Sequence, residues 1–199
     1  MRRVGMSKTK KLILASASPR RREILEKTGL IFKVVAGDYE EEMDRGVSPR
    51  KLARVLSREK ARAVASRCRD AIVIAADTFI IFRGSLFGKP ETEREARRML
   101  KILSGRSHSV VTGFTVIDTE TGKAVSRSVE TKVFIKKLAM KEIDAYVRSG
   151  EPLDKAGGYA IQGLGSVIVK RIEGDYYNVV GLPLNALVET LKMFGISVL

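Results

Sequence analysis

The sequence predicts an α/β protein, and three observations carry that prediction. A short apolar run, Leu12 to Leu14, gives way to small residues and then to a helix signal at Ser18-Pro19. A second apolar run, Ala71 to Ala76, has the length and composition of a buried strand. Two longer segments, Ser107 to Asp118 and Val125 to Lys136, flank Thr119-Glu120-Thr121-Gly122 and read as an antiparallel hairpin.

In chain order, Ser16, Ala17 and Ser18 let the backbone turn tightly after the first strand. Ser18 suits an N-cap, and Pro19 suits the first helical position because its missing N–H would be unpaired there anyway. The helix runs through Ile24 and Leu25 and ends near Gly29. Arg20, Arg21 and Arg22 fall in its first turn, where the helix dipole disfavours cations. An arriving anion would resolve that conflict; a solvated basic helix start is the competing reading. Open α/β sheets bind ligands at such strand-to-helix turns.

Ile31 to Ala36 reads as a second strand, followed by an acidic loop from Asp38 to Glu42. Ser48-Pro49 opens a helix that runs to about Arg69 and carries Lys60 on a basic face. The strand Ala71 to Ala76 ends in Asp77-Thr78. A carboxylate there is costly if buried unpaired, so it normally holds a metal, a cation or a helix N-terminus. Phe79 to Phe82 continues as strand, and Gly84-Ser85 turns the chain back. Gly88-Lys89-Pro90 leads into a helix from Glu91 to Leu103; it has neither the Walker spacing nor a Ser or Thr after the lysine. A short helix, Lys141 to Ser149, precedes a loop whose Gly157-Gly158 pair lets backbone approach something closely. Ser166 to Ile172 reads as a strand and Leu184 to Phe194 as a closing helix, with Tyr176, Tyr177 and Phe194 in the core or an interface.

A chain of 199 residues with 44% hydrophobic residues can bury a sizeable core, in one domain or two lobes sharing a sheet. No apolar run approaches the roughly 20 residues needed to cross a bilayer, and the basic start lacks the apolar centre of a signal peptide. Residues 1–10 are therefore expected to be a disordered basic extension, with no membrane partner and a cytoplasmic location. The single cysteine, Cys68, excludes an intramolecular disulfide. With one histidine, His108, Cys-cluster and His-rich metal centres are excluded too, so any metal should be a hard one with oxygen ligands. Cys68 reads as a helix residue and His108 as lying in or before a strand. Acid–base chemistry falls to Asp, Glu, Lys or water. The formal charge is +14, and residues 1–70 hold 19 Lys and Arg against 9 Asp and Glu. Such a balance suits nucleotides or nucleic acid, but no zinc-finger spacing, aromatic-rich strand motif or Gly/Arg-rich tail accompanies it.

Taken together, Ser16-Ala17-Ser18-Pro19-Arg20-Arg21, Glu41, Arg58-Glu59-Lys60, Ala76-Asp77-Thr78, Gly88-Lys89-Pro90, Leu103-Ser104-Gly105, Pro152-Leu153-Asp154-Lys155-Ala156-Gly157 and Val180-Gly181-Leu182-Pro183 follow a recognisable order. In that order and spacing the chain resembles the Maf-like nucleoside triphosphate pyrophosphatases, from about residue 11 to 195. The resemblance implies a twisted mixed β-sheet flanked by helices, with two lobes and a cleft, in a single domain over residues 11–199. It implies hydrolysis of a nucleoside triphosphate to the monophosphate and pyrophosphate, a divalent cation (Mg2+ or Mn2+) and a homodimer. It makes Asp77 the proton acceptor for the attacking water.

The residues suit that chemistry. Arg20 and Arg21 can bind phosphate oxygens as bidentate forks, with Ser16 and first-turn N–H groups as further donors. Lys60 and Lys89 are point charges for the triphosphate, and Glu41 and Asp77 could ligate the metal. Whether Asp77 is base or ligand stays open, and Glu40 and Glu42 stand beside Glu41. Asp154-Lys155 reads equally as catalytic or as a salt bridge holding its loop. The specificity positions of the branch acting on dTTP and UTP correspond to Arg20, Thr78 and Gln162. The Gln162 amide matches the alternating donor and acceptor edge of uracil or thymine. Two alternatives remain: a 7-methyl-GTP or inosine-type pyrophosphatase, and a nucleic-acid-binding regulator with a vestigial nucleotide pocket. The pyrophosphatase reading requires no nucleic acid.

Overall fold

The computed structural model describes residues 10–37 and 46–199. Its strands are β1 (Lys11–Leu14), β2 (Phe32–Val34), β3 (Ala71–Phe82), β4 (Ser85–Phe87), β5 (Ser107–Asp118), β6 (Ala124–Ile135) and β7 (Val169–Glu173). Its α-helices are α1 (Pro19–Glu26), α2 (Pro49–Ala65), α3 (Glu93–Leu103), α4 (Met140–Arg148), α5 (Tyr176–Val180) and α6 (Leu184–Lys192). The strands form one mixed sheet in the order β2-β1-β3-β5-β6-β7, with β4 also on β3. β1 runs parallel to β2 and β3, and the other pairs are antiparallel. The α/β class and mixed sheet are as the sequence implied.

β3 organises the sheet. On one side β5 pairs with it from Ile72 to Ile81. On the other side β1 pairs only as far as Ile74, and β4 begins only at Ile80. Among the described residues, 75–79 therefore have no strand partner on that side, which leaves a notch about 15 Å long in the sheet at strand rise.

Side chains alternate across β3. Val73, Ala75 and Phe79 face α2 and pack on Ala61, Val64, Leu52 and Leu56. Ile72, Ile74 and Ala76 face α1 and α6, while Ile80 and Phe82 face α3 and α4 on that same side. Two cores thus share one face of the sheet, and these are the two lobes. Helix α2 covers the other face so closely that a Cβ on Gly113 of β5 would lie 2.0 Å from the Ala53 carbonyl oxygen.

Several elements differ from the sequence expectation. Helix α3 starts at Glu93 rather than Glu91, because the Thr92 hydroxyl accepts the Glu95 N–H at 3.2 Å and caps it there. Helix α2 ends at Ala65, so Cys68 lies in the turn before β3, where Asp70 takes a positive φ of 53°. Residues 163–167 form a 3-10 turn and β7 begins only at Val169, because the Glu151 carboxylate captures the Leu164 and Gly165 N–H groups. Helix α5 was not anticipated: its Tyr and Val residues look strand-like, but Asp175 caps it by accepting the Asn178 N–H at 3.1 Å. Tyr177 and Phe194 pack against the α1/α6 core, whereas Tyr176 is exposed. Lys10 is anchored to Asp118 at 2.6 Å and Glu120 at 2.8 Å; residues 1–9 lie outside the described residues.

Candidate active site

The turn after β1 begins the site. The buried Ser16 hydroxyl accepts the Ser18 N–H at 3.2 Å and holds the chain open for helix entry. Ser18 is the N-cap residue with Pro19 next, but its own hydroxyl makes no cap bond.

Helix α1 fans its three arginines in different directions. Arg22 turns outward and pairs with Glu26 at 2.8 Å. Arg21 turns inward: Nε donates to the Gly181 carbonyl at 2.9 Å, Nη1 to Ser16 Oγ at 3.3 Å and Nη2 to Thr78 Oγ1 at 3.1 Å. One rigid guanidinium thus ties the β1 turn, the middle of β3 and the α5–α6 junction together. Arg20 stays half-buried and among the described residues makes one marginal bond, to the Asp154 carbonyl at 3.5 Å.

Asp77 and Thr78 sit in the notch and point to opposite faces of the sheet. Asp77 is 5% exposed and forms an ion pair with Lys60 of α2. The carboxylate expected at a strand end is therefore in mid-strand, at the place where the neighbouring strand has ended. Thr78 shares a hydroxyl bond with Thr112 at 2.9 Å, and Thr112 donates onward to the Asn178 carbonyl at 2.9 Å.

Two adjoining cavities flank these residues. A cavity of about 330 Å³ is lined by Ser16, Arg20, Arg21, Lys60, Lys89 and Asp154. A cavity of about 110 Å³ is lined by Thr78, Tyr159, Gln162 and Val180 among others, and it shares Arg20, Arg21 and Lys89 with the first. The larger is a polar, strongly cationic space suited to a polyphosphate. The smaller is mixed: Ile80, Val110, Val179 and Val180 supply apolar wall, while Thr78, Tyr159 and Gln162 supply polar groups that can orient a planar organic group.

The sequence-predicted residues Ser16, Arg20, Arg21, Lys60, Asp77, Thr78, Lys89 and Gln162 are thus brought together around one notch. Glu41 lies outside the described residues. Lys155 pairs with Asp154, so the Asp-Lys motif forms an ion pair inside its own loop. Burial raises the Asp154 carboxyl, but the bond from Lys155, the charges of Lys155 and Arg20 and a backbone bond together outweigh it and leave the group below its ordinary range.

Sequence reasoning missed Asn178, whose amide donates to the Val110 carbonyl at 3.1 Å and Thr131 Oγ1 at 2.9 Å, fastening α5 beside the site. It also missed Glu151 and Tyr146, which grip the loop carrying Gln162. Among the described residues, no three His, Cys, Asp or Glu side chains gather as a metal cage. Asp77, among the described residues the deeply buried carboxylate at the notch, has one oxygen on Lys60 and a second that suits Mg2+, which keeps waters and substrate phosphates beside one or two carboxylates.

The chain matches the family model described as "Maf-like protein" over residues 11–194. It is 48% identical over 190 residues to a dTTP/UTP pyrophosphatase of Methanosarcina barkeri, covering 95% of this chain and 96% of that one. It is also 48% identical over 189 residues to a dTTP/UTP pyrophosphatase of Bacillus cereus, covering 95% and 92%. A solved HAM1 protein from Coxiella burnetii shares 17% identity at a TM-score of 0.42, covering 63% of this chain and 72% of that one, and nothing about this chain follows from so remote a likeness. With a family model spanning nearly its whole length and relatives at 48% identity, the chain belongs to the Maf-like protein family.

Proposed function

We propose that this chain is a nucleoside triphosphate pyrophosphatase that hydrolyses dTTP and UTP to the monophosphate and pyrophosphate, clearing unwanted nucleotides. The observation that carries the reading is the notch in the sheet. A buried carboxylate and Lys60 approach it from one face, Thr78 from the other, and a cationic cavity adjoins a smaller one bearing Gln162.

In the reaction a water oxygen attacks the α-phosphorus, the bond to the bridging oxygen breaks, and pyrophosphate leaves with the electron pair. The water's proton goes to an Asp77 carboxylate oxygen, which Lys60 holds in place. Arg20, Lys60 and Lys89 bind the phosphate oxygens and stabilise the charge that gathers on them and on the leaving group. Ser16 adds a polar oxygen at the turn. Arg21 spends much of its fork on protein acceptors, so it shapes the pocket wall as well as supplying positive charge. A divalent cation would be held by Asp77 and Glu41, and when bound it neutralises phosphate charge and acidifies water. Arg20, Thr78 and Gln162 select the pyrimidine, the Gln162 amide presenting both a donor and an acceptor to its edge.

The same reading takes residues 11–199 as one domain after a basic extension over residues 1–10. It takes the enzyme as a cytoplasmic homodimer needing no nucleic acid; no described helix is long and apolar enough to cross a membrane.

The test is pyrophosphate release from dTTP, UTP, CTP, 7-methyl-GTP and ITP in the presence of Mg2+. Preference for dTTP and UTP is the expected result. Preference for a modified purine would overturn the base assignment while leaving the chemistry, and no release from any nucleotide would overturn the enzyme reading.

A further inference from the structure

Gln162 stands between two tethers that lead to one carboxylate. Upstream, the Ala160 N–H donates to Tyr146 Oη at 3.0 Å, and that hydroxyl donates in turn to Glu151 Oε1 at 2.8 Å. Downstream, the Leu164 N–H donates to Glu151 Oε2 at 2.9 Å and the Gly165 N–H to Oε1 at 2.8 Å. Glu151 therefore gathers three donors, two of them from the segment directly after Gln162.

The backbone is built around this grip. Gly163 has φ +65°, and a Cβ there would lie 2.6 Å from Glu151 Oε2. A Cβ on Gly165 would lie 2.5 Å from Tyr146 Oη. Only glycine lets the chain wrap the carboxylate and hydroxyl so tightly at both places. Burial raises the Glu151 carboxyl, but the bonds from Tyr146, Gly165 and Leu164 outweigh it and keep the group ionised at neutral pH. Glu151 lines neither cavity, so its effect on substrate must pass through the segment it holds.

We propose that Glu151, with Tyr146, is a positioning residue for base selection: the pair fixes residues 160–165 so that the Gln162 amide meets the pyrimidine edge in one orientation. The inference rests on the reading of Gln162 as the base-contacting side chain.

Steady-state kinetics with UTP and CTP test it, on the wild type, Glu151→Gln, Tyr146→Phe, Gln162→Ala and the double variant Glu151→Gln/Gln162→Ala. The glutamine amide has one acceptor oxygen and faces an N–H with a donor, so the downstream grip fails. Glu151→Gln then raises KM for UTP about tenfold with kcat within about twofold, and lowers the preference for UTP over CTP. In the Gln162→Ala background the same substitution changes KM by less than about twofold, because the side chain it positions is gone. Tyr146→Phe moves KM the same way by about threefold, which keeps the test open should Glu151→Gln not fold. An unchanged KM and preference in both single variants would overturn the inference, as would an equal effect of Glu151→Gln with and without Gln162. A wild type without UTP preference, or Gln162→Ala indistinguishable from wild type, would overturn the underlying reading of Gln162 and the inference with it.

Discussion

Asp77 and Lys60 show how residue chemistry sets both stability and activity. A carboxylate 5% exposed in the middle of a strand is tolerable because an ammonium group meets it there. On the proposed mechanism Asp77→Asn removes the proton acceptor but keeps the shape, so kcat should fall by about 10²–10⁴ with Tm within a few degrees of wild type. Lys60→Ala strands the carboxylate instead, and both pyrophosphate release and Tm should drop. Calorimetry beside the activity assay separates the two; a Tm unchanged in Lys60→Ala would show that the pair adds nothing to the fold. Arg21 makes a different demand, since three of the groups it donates to lie on Ser16, Thr78 and Gly181. Lysine cannot reach all three with one point charge, so Arg21→Lys should lower kcat/KM about 100-fold despite keeping the charge. These residues were legible because the motifs that carry them are short and local. Glu151 and Asn178 were not, because their partners are set by the fold: Asn178 meets Val110, 68 positions away, and nothing in the intervening chain announces it.

At the scale of elements, the site exists because two strands share one side of β3 without meeting. The apolar run from Ala71 and the continuation to Phe82 were readable as strand, and so was the Asp77-Thr78 interruption. That β1 stops at Ile74 and β4 starts at Ile80 was not readable, since pairing register depends on partners distant in sequence. The Ser-Pro starts of α1 and α2 were legible from their caps, while α5 was hidden by β-prone residues behind an Asp cap. Helix α2 delivers Lys60, and its height over the sheet is set by Gly113, where even a methyl group would meet the Ala53 carbonyl. Gly113→Ala should therefore push α2 off the sheet, destabilise the protein by about 1–3 kcal/mol and weaken catalysis through Lys60. Urea denaturation and pyrophosphate release check the two effects, and an unchanged midpoint would mean that the helix can shift without strain.

Over the whole molecule, one sheet carries two cores on one face and α2 on the other, and the cleft between the lobes opens at the notch. The lobe that holds α3 and α4 also buries His108, whose Nε2 bonds to the Tyr159 hydroxyl at 2.6 Å while Nδ1 has no partner among the described residues. Burial pushes this imidazole from its ordinary 6.5 down to about 4, and burial likewise raises the Tyr159 phenol, so both stay neutral at pH 7. Because the folded value is depressed, the unfolded chain binds more protons at His108 between pH 6.5 and 4. Stability from this group is complete above pH 6.5 and is lost as pH falls toward 4. Between pH 7 and pH 5.2 the loss should be about 1.5 kcal/mol, before depressed carboxylates such as Asp118, at about 2, begin to contribute. His108→Gln, uncharged throughout, should be less stable at pH 7 yet lack this part of the decline. Urea midpoints of both proteins at the two pH values measure it, and equal declines would remove His108 as the cause.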